Sequence, residues 1–460
     1  FVPGAEEYIF ECLKWTGLQP DESVVHGGNY GPYRQSERKE KYRLYAEQLV
    51  AQGYAYYAFD TPEELEKMRT QNRTEDNPSP QYDHKVRMSM RNSLTLSQEE
   101  VQRLIDSNTP YVIRIKMPEN ETVTFTDMIR GEVSFNTSLV DDKVLLKADG
   151  MPTYHLAVVV DDYLMEISHA FRGEEWLPSA PVHILLWEYL FGLDKMTQWA
   201  HFPLILGPSG KLSKRDGAKY GFPVYAMNWT DPRSGELTEG FKEKGFLPEA
   251  FINLLALLGW NDGSAQEIFS LEELIDKFSM DRIHSAGAKF DYEKAKWFNH
   301  EWIKKSDASH LLPHVKQVLK SKDIAVADDT LLQQVINLVK DRCTLLTDFY
   351  EQAAYFFRQP QEYDLQAILP KWSEEKNLFF AELIRNYQLA PLWDAQELER
   401  NFKEIAATNH LKPGEVMLPL RIMLVGGKFG PGVFDIAQFL GKEETVKRIE
   451  HVLALIASAK

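Results

Sequence analysis

The segment Lys211-Leu212-Ser213-Lys214-Arg215 puts two ammonium groups and a hydroxyl within five residues. It directly follows the apolar run Phe202-Pro203-Leu204-Ile205-Leu206 and a Gly207-Pro208-Ser209-Gly210 turn. A strand that ends in such a loop suits a bound polyphosphate, because movable cations there neutralise charge as it develops on a leaving pyrophosphate. The same residues also fit a solvated, lysine-rich surface loop, since charge clusters commonly just face water. The rest of the chain has to separate these alternatives.

The elements around this loop fall into two kinds. To residue 58 the pattern is mainly helical: Lys39 to Gln52 carries Tyr42, Leu44, Tyr45, Leu49 and Val50 at helical spacing. An aromatic strand follows at Tyr54 to Phe59. A helix then starts at Asp60-Thr61-Pro62-Glu63-Glu64, with proline in the first turn and acids that complement the helix dipole. Residues 70 to 95 are polar and poorly patterned and read as a loop. Val112 to Lys116, Val123 to Phe125 and Val133 to Phe135 read as half-buried strands. Another strand near Val144 to Lys147 leads into Gly150 to Tyr154, and Val158-Val159-Val160 heads into the pair Asp161-Asp162. This is a β-rich insertion that returns to an α/β core. Beyond about residue 246 strand signals fade and amphipathic helices dominate, punctuated by Lys412-Pro413-Gly414-Glu415 and Gly426-Gly427-Lys428-Phe429-Gly430. The expected segments are 1–58 and 151–245 for the two parts of the core, 59–150 for the insertion, 246–300 for a helical connector and 301–460 for a helical half.

Composition sets wide bounds. A chain of 460 residues predicts roughly two to four domains, and 44% hydrophobic and 12% aromatic residues suffice to fill their cores. No run approaches the ~18 apolar residues of a membrane span, so no membrane partner is expected; Phe251 to Leu258 reads as a buried helix. A net charge of −16 argues only weakly against a polyanionic partner, because a large protein can segregate a basic face and only that face meets phosphates. The two cysteines, Cys12 and Cys343, lie far apart, which excludes a disulfide scaffold and points to a reducing cytoplasm. The first residues, with Ile9, Leu13 and Trp15 at helical spacing, read as part of a domain already under way. The chain is therefore expected to start inside a larger protein.

Several blocks in order carry a family resemblance. Lys211 to Arg215 resembles the second signature loop of class I aminoacyl-tRNA synthetases. The stretch Met151-Pro152-Thr153-Tyr154-His155-Leu156-Ala157, then Val159-Val160-Asp161-Asp162, then Phe171-Arg172-Gly173-Glu174-Glu175-Trp176, is similar to the glutamate site of the bacterial glutamyl-tRNA synthetases. Gly31-Pro32-Tyr33-Arg34-Gln35-Ser36-Glu37-Arg38 and Gly245-Phe246-Leu247-Pro248-Glu249-Ala250 match in order and rough spacing. The likeness implies a Rossmann-like parallel-sheet catalytic core with an α+β insertion that binds the tRNA acceptor end, followed by all-α anticodon-binding domains. It implies ATP-dependent attachment of glutamate to tRNA(Glu) through a glutamyl-adenylate, with Mg2+ arriving on ATP, by a monomer.

The chemistry needs positioning and charge stabilisation on phosphate oxygens more than covalent help. By resemblance, Lys211, Ser213 and Lys214 form the catalytic loop, Lys214 being the stronger candidate for the ATP phosphates and Ser213 helping to fix the loop. Glu175 and Trp176 occupy ATP-side positions, Leu204 and Ile205 offer backbone groups to the adenine edge, and Leu212 belongs with them. Arg172 is the candidate for the substrate's side-chain carboxylate, because a planar guanidinium binds a carboxylate bidentately and disfavours neutral glutamine. Tyr154 donates its phenolic proton to the same group. The alternative for Arg172 is a structural ion pair with Glu174 or Glu175, and for Tyr154 and Trp176 it is core packing. Arg342 matches an arginine that reads the third anticodon base; its alternative is a solvated helical arginine. Trp297 and Trp302 read as core.

Three departures accompany the likeness. The family has asparagine four residues after the tyrosine of the glutamate segment, where this chain has Val158. The family's first ATP signature, of the His-x-Gly-His type, occurs nowhere in the sequence. Its natural place is upstream, so the chain is expected to lack roughly forty to fifty family residues and to be catalytically incomplete as given. Some members carry a zinc cluster in the insertion; here no cysteine lies between Cys12 and Cys343, so no thiolate zinc site is expected. About a dozen extra residues between Arg215 and Gly245, including Asn228 to Gly235, read as a surface excursion beside the loop. Two alternatives stay open: a non-catalytic tRNA-binding protein derived from the same fold, and an enzyme that also charges tRNA(Gln).

Overall fold

The computed structural model describes residues 2–75 and 77–459; Phe1, Asp76 and Lys460, which fall within the expected segments, lie outside the described residues. In the first part, helix α1 (Ala5–Thr16) precedes an irregular stretch that holds the Gly31–Arg38 block and ends in a 3-10 turn, and α2 (Lys39–Ala51) follows. Arg38 organises that stretch. It is almost fully buried, donates from Nη1 to the carbonyls of Tyr30 and Pro32 at 3.3 and 3.0 Å, and faces Asp161 Oδ1 from Nε at 2.9 Å.

Strand β1 (Ala55–Ala58) leads to α3 (Pro62–Gln71), where Thr61 caps Glu64 N–H and the Glu64 carboxylate returns to Thr61 N–H. Such a reciprocal cap satisfies two otherwise orphaned amides, and α4 (Gln98–Asp106) uses the same device through Ser97 and Glu100. The chain then forms β2 (Val112–Ile115), β3 (Thr122–Asp127), β4 (Gly131–Asn136) and β5 (Val144–Leu146). Strands β1, β2 and β5 form one antiparallel sheet in the order β1-β2-β5. Residues 55–58, expected with the first core segment, pair with Val112 to Ile115 and so share a sheet with residues of the next expected segment.

Helix α5 (Tyr154–Leu164), β6 (His169–Gly173), α6 (Ala180–Leu190) and β7 (Gln198–Phe202) rebuild the core. Parallel neighbours require a crossover, and α6, buried from Ala180 through Trp187, provides it between β6 and β7. The sheet order is β4-β3-β7-β6, with β3 parallel to β7 at Asp127–Trp199. The β3–β4 hairpin thus extends the core sheet itself. Along β3 the residues alternate exposed and buried, the period-2 signature of a half-buried strand.

Strands β8 (Ile205–Gly207) and β9 (Gly210–Lys211) form a hairpin that ends in α7 (Lys214–Tyr220). The excursion that follows folds as a two-stranded hairpin, β10 (Trp229–Thr230) and β11 (Leu237–Thr238). It is fastened to α1: Tyr8 Oη donates to Met227 O at 2.7 Å and the Tyr8 ring meets Trp229 edge-on at 5.0 Å. After α8 (Phe241–Lys244), α9 (Pro248–Leu257) and α10 (Leu271–Lys277), a strand appears where helices alone were expected. This is β12 (Ala288–Lys289), parallel to β8. Two residues carry no readable periodicity, and the pairing with β8 creates the strand.

The remainder is helical: α11 (Tyr292–Lys305), α12 (Ala308–Lys320), α13 (Asp329–Val339), α14 (Phe349–Phe357), α15 (Glu374–Leu389), α16 (Ala395–Thr408), α17 (Pro413–Val425) and α18 (Val433–Ser458), the last interrupted at Gly441. Asn299 on α11 ties this half to the core. Its Oδ1 accepts from Leu247 N–H at 2.8 Å, and its Nδ2 donates to the carbonyls of Gly245 and Thr344 at 3.2 and 2.7 Å. Trp302 is core, whereas Trp297 is 37% exposed. No helix of the described residues is long and apolar enough to cross a membrane.

Candidate functional site

Alternation along β6 turns Phe171 to solvent and Arg172 inward. The Arg172 side chain is 7% exposed. Its Nη2 donates to Asp162 Oδ2 at 3.2 Å, and its guanidinium lies 5.0 Å from the centroid of the Trp199 ring. The ion-pair partner is thus Asp162 on α5. Glu174 pairs with Arg130 and accepts from Leu204 N–H at 3.2 Å, while Glu175 pairs with Lys211. Burial pushes the Asp162 carboxyl up to about 6 against the pull of Arg172.

Tyr154 opens α5 and is half-buried. Its ring meets Trp176 at 4.4 Å and His183 at 5.6 Å. Burial raises its phenol, with Arg172 acting in the opposite direction. Below it, His155 Nδ1 and His183 Nε2 lie 3.0 Å apart. Burial drives His155 down to about 4 and His183 well below its ordinary range, so both imidazoles are neutral at pH 7 and Arg172 is the cation beside Tyr154. Trp176 is 40% exposed: it rims the site instead of filling core.

The signature loop joins this site through Lys211. Its Nζ lies 2.7 Å from Glu175 Oε1. Gly173 lies directly beneath that carboxylate, where an added Cβ would push the flexible Glu175 side chain aside. The hairpin carries Leu212 N–H to Ile205 O at 2.8 Å. Leu204 already uses its amide for Glu174 and its carbonyl for Ala288 N–H, so of the two adenine-edge candidates it has fewer free backbone groups to offer. Ser213 caps α7: its N–H and Oγ both donate to Asp216 Oδ2, at 2.9 and 2.7 Å, and Ser209 Oγ donates to Oδ1 at 2.7 Å. Asp216 is buried; the hydroxyls of Ser209 and Ser213 hold its carboxyl below the ordinary range.

Lys214 points elsewhere. Its Nζ lies 5.3 Å from the centroid of Tyr225, and the Tyr225 hydroxyl, Asp231 and Glu236 raise its pKa. It lines two cavities of about 500 and 360 Å³ walled by α7, the excursion and α1, and neither includes Tyr154 or Arg172. The structure therefore brings Tyr154, Arg172, Glu175, Trp176 and Lys211 together, with the Leu204–Leu212 hairpin beside them, and leaves Lys214 on the excursion's side of the loop. Asp162, His183, Trp199 and Arg130 complete the surroundings without having been singled out for a role. The Asp161-Asp162 pair was the one visible signal.

Arg342 ends a 3-10 turn after α13 and is exposed. It acts electrostatically on Tyr355 and Arg421. A cavity of about 500 Å³ opens at Tyr355, lined also by Tyr350, Arg358, Gln359 and Phe429 among others. Arg421 Nη1 shapes its edge by donating to the carbonyls of Phe429, Gly430 and Pro431 at 3.0, 3.1 and 2.6 Å.

Comparison with known proteins agrees with this division. A family model described as tRNA synthetases class I (E and Q), catalytic domain, matches residues 2–297, and an anticodon binding domain model matches residues 307–453. The glutamate–tRNA ligase of Amoebophilus asiaticus is 47% identical over 458 residues, 99% of this chain and 89% of that protein. The glutamate–tRNA ligase of Porphyromonas gingivalis is 47% identical over 459 residues, covering 99% and 90%. Among solved structures, a glutamate tRNA ligase from Elizabethkingia meningosepticum in complex with its amino acid superposes with a TM-score of 0.92 at 44% identity, covering 99% of this chain and 90% of the other. A glutamate-tRNA synthetase from Elizabethkingia anophelis gives 0.88 at 44% identity with the same coverage.

Proposed function

The chain belongs to the class I tRNA synthetases of the glutamyl and glutaminyl type, and from that premise we propose how its residues attach glutamate to tRNA. The enzyme is a glutamate–tRNA ligase and uses ATP. In the first step the α-carboxylate of glutamate attacks the α-phosphorus of ATP, the bond to pyrophosphate breaks, and glutamyl-adenylate forms. In the second a ribose hydroxyl of the tRNA 3′ end attacks the activated carbonyl carbon and AMP leaves. Mg2+ enters as part of the ATP complex.

Arg172 receives the substrate's side-chain carboxylate and Tyr154 donates to it. What supports this is the burial of Arg172 beside Tyr154, over two imidazoles that burial keeps neutral: an acidic side chain meets one cation and no competing proton donor of the same charge. Lys211 and Lys214 stabilise the leaving pyrophosphate, Glu175 and Trp176 flank the nucleotide, and the Leu204-Ile205-Leu212 hairpin receives the base. The single observation that carries the arrangement is the Glu175–Lys211 contact, which sets the cationic loop against the strand that holds Arg172. Lys214 has to leave Tyr225 to join it. In the helical half, Arg342 reads an anticodon base, supported by its exposure, by its electrostatic effect on Tyr355, which lines a cavity, and by the use of arginine planes and aromatic rings in recognition of unstacked bases. Two free cysteines support a cytoplasmic location.

The test is charging of purified tRNA by the full-length enzyme with radiolabelled glutamate. ATP- and glutamate-dependent label on tRNA is expected. Binding of tRNA without label transfer would support the non-catalytic alternative.

A further inference from the structure

The last turn of α5 carries two adjacent carboxylates, each committed to a different buried arginine. Asp161 accepts from the Tyr42 hydroxyl at 2.8 Å and faces Arg38. Asp162 takes Nη2 of Arg172 at 3.2 Å, and both of those side chains are nearly withdrawn from water, at 13% and 7% exposure. The guanidinium of Arg172 is thus held at Nη2 by a carboxylate, with the Trp199 ring 5.0 Å from its central carbon. A guanidinium is a planar fork with five donors; holding one nitrogen on a carboxylate beside an aromatic wall leaves the remaining N–H groups a restricted set of directions. The neighbouring acids cannot substitute for this hold, because Glu174 is engaged by Arg130 and Leu204 N–H and Glu175 by Lys211.

We propose that Asp162 is a positioning residue for glutamate selection: it clamps the guanidinium of Arg172 so that its free N–H edge meets the side-chain carboxylate of the substrate. The inference rests on the reading that Arg172 receives that carboxylate. Asp162 and Tyr154 stand on one helix, so α5 sets the clamp and the phenol as a single rigid unit. A bidentate contact depends on the plane of the fork as well as its charge. Loss of the clamp therefore weakens recognition of the carboxylate while leaving the nucleotide side untouched.

The experiment is steady-state tRNA charging by the full-length enzyme carrying Asp162→Asn, Asp162→Ala or Arg172→Lys, with the KM of glutamate and of ATP measured separately. Asparagine keeps an acceptor of the same shape but without charge, so the KM for glutamate rises by about threefold, since charge-assisted bonds are roughly twice as strong as neutral ones. Alanine removes the acceptor and raises it by about tenfold or more. The KM for ATP stays within about twofold in both, a split that general destabilisation does not produce. The near-isosteric asparagine variant decides the matter if the alanine variant does not fold. Unchanged glutamate KM in the folded variants, or a parallel rise in both KM values, overturns the proposal. Arg172→Lys separates the two levels: if it moves the glutamate KM and the Asp162 variants do not, the clamp alone fails. If it does not, the reading of Arg172 fails and the clamp falls with it.

Discussion

Lys211 Nζ lies 2.7 Å from Glu175 Oε1, across the gap between the β8–β9 hairpin and the turn after β6. Both side chains are substantially exposed, 58% and 40%, so the pair contributes only about 0–1 kcal/mol to stability and a polyphosphate can displace it. Lys211→Ala should leave the melting temperature within about 2–4 °C of wild type while slowing glutamate-dependent pyrophosphate exchange by about tenfold or more. Calorimetry and exchange on one preparation check this; a large stability loss with normal exchange would make the contact structural.

Lys214 tests the other side of the loop. In the structure it faces Tyr225, and the proposed reaction takes it away from there. Lys214→Ala should reduce pyrophosphate exchange by about a hundredfold or more, the scale of losing one preorganised charge donor, with tRNA affinity unchanged in a filter-binding assay. Exchange at the wild-type rate would remove Lys214 from the mechanism.

For the helical half, Arg342→Gln should alter the ratio at which glutamate and glutamine tRNAs are charged. Base-edge contacts carry about 1–3 kcal/mol of discrimination, enough to move that ratio measurably. Equal losses on both tRNAs would assign Arg342 to packing or to general phosphate attraction.

Asp162 also makes a prediction in pH. Burial pushes its folded-state pKa up to about 6, above the ordinary aspartate value. Between those two values the folded protein holds a proton that the unfolded chain has lost. The stabilisation is therefore full below the ordinary value and is lost as pH rises through about 6. His155 and His183, with depressed pKa values, act in the opposite sense in wild type and variant alike. From pH 7 to pH 4 the difference in unfolding free energy between wild type and Asp162→Asn should move by about 2–3 kcal/mol in favour of wild type. Parallel urea-unfolding profiles across that range would contradict the burial assigned to this carboxyl.

Much of the fold could be read from residue order because local pattern and tertiary role coincide. Val123 to Phe125 alternates in sequence and in burial, and the Thr61–Glu64 cap stands where Pro62 and the acids announce it. Val158 to Val160, a β-branched run of poor helix propensity, is helical in α5 because burial of Val159 and Val160 against the core outweighs propensity. β12 exists only through its neighbour β8. In the site, Arg172 and Tyr154 were visible through family pattern, but the partner of Arg172 was not: Glu174 and Glu175 are closer in sequence than Asp162, yet the strand directs them to Arg130 and Lys211. The excursion after Arg215 was legible as a surface feature; its attachment to α1 through Tyr8, Met227 and Trp229 depends on residues more than 200 positions apart.

The central claim is that Arg172 selects an acidic substrate beside a cationic nucleotide loop. The kcat/KM for glutamate in tRNA charging by Arg172→Ala measures it most directly. The account predicts a loss of about a hundredfold or more in that constant, consistent with removing the charged partner of a buried carboxylate, with the KM for ATP nearly unchanged. An Arg172→Ala enzyme that charges tRNA with glutamate at the wild-type kcat/KM would contradict it.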